Sequence, residues 1–116
     1  MEKPVDAMYC NAKVNEQLTH IILDSGSVGS IITKDFAKQI GLEISGPSRV
    51  NMIDIHGGRK RSLGKIKGVP IDIKGCVMEI DMDVTEAKEY SVLIGNDLLS
   101  KIKAVIDYQK CILTFQ

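Results

Sequence analysis

The sequence predicts an all-β domain, a barrel or sandwich of short strands that carries one or two short helices. Three observations predict it. Charged and apolar residues alternate through Glu79-Ile80-Asp81-Met82-Asp83-Val84, which puts Ile80, Met82 and Val84 on one face of a half-buried strand. Short apolar runs recur at close spacing, separated by two-residue turn signals such as Asn15-Glu16 and Lys74-Gly75. The 116 residues, 44% apolar and 26% charged, suffice for one modest core and not for two. Residues 1–116 are therefore read as a single domain.

Taken in order, Met8 to Val14 and Leu18 to Leu23 read as strands joined at Asn15-Glu16. Thr33 is placed to cap a helix over residues 33–40, with Phe36, Ala37 and Ile40 on one face and Gly41 at its end. The stretch from Asn51 to Gly64 is polar, basic and glycine-bearing, the composition of a loop or hairpin tip. Ile66 and then Val69 to Ile73 form the expected partner of Glu79 to Val84 across a Lys74-Gly75 turn. After Gly95, Asn96 to Ile102 fits a helix of about two turns. Ala104 to Ile106 and Cys111 to Phe115 read as strands flanking a turn at Asp107 to Lys110.

Composition removes several function classes. Fifteen Lys and Arg balance fifteen Asp and Glu, so there is no basic surplus to drive nucleic-acid binding through counterion release. Apolar runs such as Ile21-Ile22-Leu23 and Val92-Leu93-Ile94 are far too short to span a bilayer or act as a signal peptide. No nucleic-acid or membrane partner is expected. Cys10, Cys76 and Cys111 are widely spaced, and neither His20 nor His56 is spaced with a cysteine as a metal ligand. We expect no metal, no organic cofactor, and buried or half-buried thiols in a reducing, cytoplasmic setting.

The segment that carries chemistry is Thr19-His20-Ile21-Ile22-Leu23-Asp24-Ser25-Gly26-Ser27, an apolar strand delivering a carboxylate into a tight turn. Asp-Ser-Gly alone arises by chance in roughly 3% of chains this long, so the tripeptide is weak without its context. A buried-type strand has little reason to end in a carboxylate unless that group is hydrogen-bonded or used. Locally, Asp24 serves equally as the start of an Asx turn or as a catalytic carboxylate at a rigid turn. A phosphate-cradling role for Gly26 to Ser30 is disfavoured, because the loop lacks both the Gly-Lys-Ser/Thr ending and the third dinucleotide glycine. A phosphorylation-dependent recognition motif needs an exposed Ser25, whereas the preceding apolar strand is expected to bury it.

A second segment, Tyr90-Ser91-Val92-Leu93-Ile94-Gly95-Asn96-Asp97-Leu98-Leu99, sets apolar residues before a glycine and a short helix. Together with Leu23-Asp24-Ser25-Gly26 and the glycine-bearing hairpin between them, the chain resembles the retropepsin family of aspartic proteases, from about Val5 to Phe115. The likeness is nearest to proteases of long-terminal-repeat retrotransposons and to retroviral-like domains in cellular proteins. In the retroviral pattern an Asp stands four residues after the catalytic one, paired with an Arg directly after the second glycine. Here those positions hold Val28 and Asn96, so both partners are absent together.

The resemblance implies a small closed antiparallel β-barrel that works as a homodimer. Asp-Ser-Gly occurs once, so one chain holds half a site, and Asp24 from each copy would meet at the twofold axis. Two such carboxyls share one proton and activate a water for peptide-bond hydrolysis. By the same resemblance Ser25 would stiffen the floor of the site and Gly26 would admit the substrate backbone. A flap over Met52 to Leu63 would close on the peptide, bringing Ile55, His56, Gly57 and Gly58 to it, and Ser27 would also contact it. Ile94 and Ile31 are candidate apolar subsites, with ordinary core the competing reading, as it is for Ile55. His56 is either an exposed loop histidine or a group whose protonation near about pH 6 alters flap closure. Arg59-Lys60-Arg61 reads as a solvated loop face. The expected substrate is an extended peptide, the retroelement polyprotein that carries the domain. The rival reading keeps the fold as a weak or inactive dimerisation or peptide-binding module.

Overall fold

The computed structural model describes residues 7–48, 51–53, 59–103, 105–107 and 112–114. Its first two strands, β1 (Ala7–Val14) and β2 (Gln17–Asp24), pair antiparallel from Val14↔Gln17 to Ala7↔Asp24. Asn15 and Glu16 between them both take positive φ, 49° and 67°, the geometry that lets a two-residue turn follow strand twist. Inward residues of this hairpin, among them Ala12, Val14, Ile21 and Leu23, are buried.

Next comes β3 (Ile31–Thr33), a strand that period-two reading does not reveal, followed at once by α1 (Lys34–Gln39). The Thr33 hydroxyl accepts from the Phe36 N–H at 3.3 Å, as the capping pattern predicts. The helix ends with Gly41 at φ 81°, where its N–H donates to the Lys38 carbonyl.

The hairpin of β4 (Asn51–Ile53) and β5 (Arg59–Arg61) pairs Met52 with Lys60, and it occupies the stretch expected to form a hairpin. Then β6 (Gly64–Ile73) and β7 (Cys76–Thr85) form the long central hairpin through a Lys74-Gly75 turn. Their register slips between Ile66 and Val69, where Gly68 has φ 66° and its N–H donates to Asp81 Oδ1 at 3.0 Å. This bulge is why the alternation of β6 breaks at Lys67-Gly68.

The remaining elements are β8 (Val92–Ile94), α2 (Asn96–Leu99), β9 (Val105–Asp107) and β10 (Ile112–Thr114). Regular helix stops at Leu99, short of the expected Ile102, and the chain continues in turns to Lys103 at φ 51°. Strands β9 and β10 pair antiparallel as a separate two-stranded sheet, as their flanking of a turn predicts.

The barrel closes in the order β1-β2-β8-β3-β7-β6, with β6 returning to β1 at Lys13↔Asp72. The predicted closed barrel is present, although two of its pairings, β2 with β8 and β3 with β7, are parallel. In the first of these the apolar runs Ile21-Ile22-Leu23 and Val92-Leu93-Ile94 lie side by side, with Ile21, Leu23, Val92 and Ile94 buried and Ile22 and Leu93 half-buried. Ile21, Leu23, Ile32, Ile71, Ile73, Met82, Ile94 and Leu98 fill the interior and are almost wholly inaccessible to solvent. No helix among the described residues is long and apolar enough to cross a membrane.

Candidate active site

Strand β2 ends in Asp24, and its neighbour β8 ends in Ile94, paired with Leu23 in parallel register. The two strands therefore deliver Asp24-Ser25-Gly26 and Gly95-Asn96-Asp97 to the same end of the barrel. Asp24 is half-buried, while Ser25 and Gly26 are exposed. Its Oδ1 accepts from the Gly26 N–H at 2.9 Å, and its carbonyl accepts from the Ser27 N–H at 3.1 Å. The Asx turn is present, and it leaves the Asp24 carboxylate half-buried at the strand end. A Cβ on Gly26 would stand 3.1 Å from Asp24 Oδ1, so a larger residue would push on the carboxylate itself.

The loop after Asp24 is held from the second segment. Asn96 N–H donates to the Ser27 carbonyl at 2.8 Å, Asp97 N–H to the Val28 carbonyl at 3.1 Å, and Asn96 Nδ2 to the Ser25 carbonyl at 2.6 Å. The Asp97 carboxylate accepts from Ser30 Oγ at 2.7 Å, Ser30 N–H at 3.1 Å and Leu98 N–H at 2.9 Å. Ser30 Oγ in turn accepts from the buried Gly95 N–H at 3.1 Å. Gly95 has no room for a side chain: a Cβ there would lie 2.5 Å from the Gly29 carbonyl oxygen and 2.7 Å from that of Ser27.

Of the residues singled out from sequence, Asp24, Ser25, Gly26 and Ser27 come together on this loop. Ser27 is half-buried, and its hydroxyl donates to the Gly29 carbonyl at 2.8 Å. Ile94 is wholly buried, so its side chain belongs to the barrel core and offers no surface to a peptide in this chain. Ile31 is half-buried in β3. Ile55, His56, Gly57 and Gly58 lie outside the described residues. Ser25 is exposed in the single chain, contrary to the expectation that the preceding strand buries it. Sequence reasoning missed Ser30, Asn96 and Asp97. Their signal was faint: two polar residues between Gly95 and an apolar pair, at a place where a helix opens. Among the described residues no group of three His, Cys, Asp or Glu is arranged to hold a metal ion.

With this geometry in view, comparison with known proteins agrees. The family model described as aspartyl protease matches residues 2–107, and the chain belongs to that family. It is 32% identical over 112 residues to DNA damage-inducible protein 1 of Phaeosphaeria nodorum, covering 97% of this chain and 25% of that protein. The retroviral protease-like domain of Ddi1 from Leishmania major superposes with a TM-score of 0.72 at 25% identity, covering 97% of this chain and 90% of that one. EIAV protease, in complex with the inhibitor HBY-793, gives a TM-score of 0.72 at 17% identity, covering 92% and 98%, a likeness of fold alone. The fold is that of a retropepsin-like aspartic protease domain. The chain spans about a quarter of the length of the curated relatives it matches.

Proposed function

We propose that this domain is an aspartic endopeptidase that acts as a homodimer on extended peptides. The observation that carries the reading is Asp24, set at a strand end in an Asx turn and braced by the Gly95-Asn96-Asp97 segment, inside a family of aspartyl proteases. One chain supplies one such carboxylate, and the reaction needs two. In the dimer the ionised Asp24 takes a proton from a water while the protonated Asp24 of the second copy donates to the scissile carbonyl oxygen. The hydrated carbonyl then collapses: a proton passes to the amide nitrogen, the C–N bond breaks, and acid and amine leave. The β4–β5 hairpin serves as the flap, pairing with the peptide as an added strand.

The names of the curated relatives favour a domain within a longer cellular protein over one released from a retroelement polyprotein. The free, half-buried thiols of Cys10 and Cys76 support a reducing cytoplasm. The test is mass-spectrometric mapping of cleavage in a peptide mixture at about pH 5, where one proton is shared by the pair. Native chain and Asp24→Asn are compared at concentrations that drive dimerisation, with mass measured by sedimentation. Cleavage by the native dimer alone is expected. Silence from a native chain that is dimeric would leave the peptide-binding module as the function.

A further inference from the structure

We propose that Asn96 is the positioning residue of Asp24, acting through the one peptide group that joins Ser25 to Gly26. The inference rests on the aspartic-protease reading and deepens it.

That peptide group is held at both ends. Its carbonyl oxygen accepts from Asn96 Nδ2 at 2.6 Å, and its N–H donates to Asp24 Oδ1 at 2.9 Å. A peptide unit is planar and rigid, so any rotation that breaks one bond also swings the other. Drawing on the oxygen also makes the N–H a stronger donor, because hydrogen bonds in a chain polarise one another. Gly26 sets little restraint of its own, since glycine rotates freely about its backbone bonds. It is also exposed, so water competes for the Asp24 contact. The brace must therefore come from outside the loop. Asn96 supplies it twice over: its N–H grips the Ser27 carbonyl at 2.8 Å while its side chain grips that of Ser25, astride Gly26.

Asn96 is itself exposed and stands at the first position of α2. Its side chain contributes little to burial, so its removal separates positioning from stability. An aspartate there would suit the first turn of a helix. Its carboxylate oxygens, however, can only repel the Ser25 carbonyl, where the carboxamide donates. Asn96→Asp is therefore expected to preserve stability and lose activity, a combination that a scaffolding role does not produce.

The experiment compares the native chain with Asn96→Ala and Asn96→Asp, with Asp24→Asn as the inactive control. Turnover is measured on a cleaved peptide, the Gly26 amide exchange rate by NMR, and stability from the urea midpoint. We expect kcat to fall about tenfold in Asn96→Ala and further in Asn96→Asp. KM should stay within about twofold, because substrate contacts are left in place. Gly26 exchange should accelerate in both variants, and the urea midpoint of Asn96→Asp should match the native value. Unchanged kcat in both variants, or a loss that tracks the urea midpoint, overturns the proposal. If the native chain cleaves nothing, the protease reading is what fails, and Gly26 exchange decides alone: protection unaltered by either substitution overturns the Asn96 brace.

Discussion

The clasp between Ser30 and Asp97 provides the most quantitative test of how the site is built. Removing the Asp97 side chain leaves the Ser30 N–H and hydroxyl without their acceptor, while the Leu98 N–H keeps the Gly95 carbonyl at 3.2 Å. Ser30 is only 1% exposed, so water cannot readily replace the lost partner there. An abandoned buried donor costs about 1–3 kcal/mol, which puts Asp97→Ala at about 3 kcal/mol overall. Ser30→Ala removes the hydroxyl and orphans the buried Gly95 N–H, a loss of about 2 kcal/mol on the same scale. The two share a hydrogen bond and must not add. A double-mutant cycle should return a coupling of about 1.5 kcal/mol, so the double variant is only slightly worse than Asp97→Ala. Urea unfolding at one fixed protein concentration measures all four proteins, because dimerisation would otherwise shift the midpoints by mass action. Additivity within about 0.5 kcal/mol, or an Asp97→Ala loss below about 1 kcal/mol, would refute the clasp.

Three further outcomes follow from particular contacts. Gly95→Ala forces a Cβ against two backbone carbonyls, at 2.5 and 2.7 Å, that cannot move independently. It should cost about 3 kcal/mol or more in urea unfolding, and a loss under about 1 kcal/mol contradicts the close approach. Thr33→Ala removes the α1 cap and should cost about 1 kcal/mol, read as a Tm lowered by about 4 °C; an unchanged Tm means the cap bond contributes nothing. Burial pushes the Cys10 thiol above its ordinary value of 9.0, with the nearby Lys74 charge opposing it. The folded chain thus holds that proton to higher pH than the unfolded one. Stability from this group is complete below about pH 9 and is lost as pH rises further. Urea midpoints of the native chain should fall more steeply above about pH 9 than those of Cys10→Ala, and parallel curves would contradict the burial effect.

What could be read from the sequence divides along a physical line. Local signals were enough for the hairpins β1–β2 and β6–β7, because alternation and a two-residue turn of the right residue types sit within one short window. The cap at Thr33 and the stop at Gly41 are local too. Strand β3 was hidden because three residues leading into a capping signal carry no period, and it forms only by pairing with β7 and β8. The parallel pairs escaped for the same reason: order across a barrel is not written in any single segment. At the site, Asp24-Ser25-Gly26 was legible as a motif, yet the residues that shape it were not. Ser30 and Asp97 are 67 positions apart, and each alone is an ordinary polar residue. Ile94 could be read only as subsite or core, because an apolar residue beside a motif has the same sequence signature whether it faces a peptide or a core, and in this chain it is buried in the core.

The same long-range dependence explains why a loop so rich in small residues can hold a carboxylate still. The carbonyls of Ser25, Ser27 and Val28 accept from Asn96 or Asp97, and the Ser30 carbonyl accepts from the Asp83 N–H. Beyond the loop's own turn bonds, much of its order is lent by Asn96 and Asp97, which reach it once β8 lies against β2, and by Asp83 of β7. The Asp24-Ser25-Gly26 turn is consequently braced from within a single barrel. In the proposed dimer, association then joins two preformed halves and need not spend binding energy on ordering Asp24-Ser25-Gly26. Chains held monomeric should accordingly keep the Gly26 amide as protected from exchange as dimers do. Protection that appears only on dimerisation would mean that the second chain, and not the Gly95-Asn96-Asp97 segment, builds the catalytic turn.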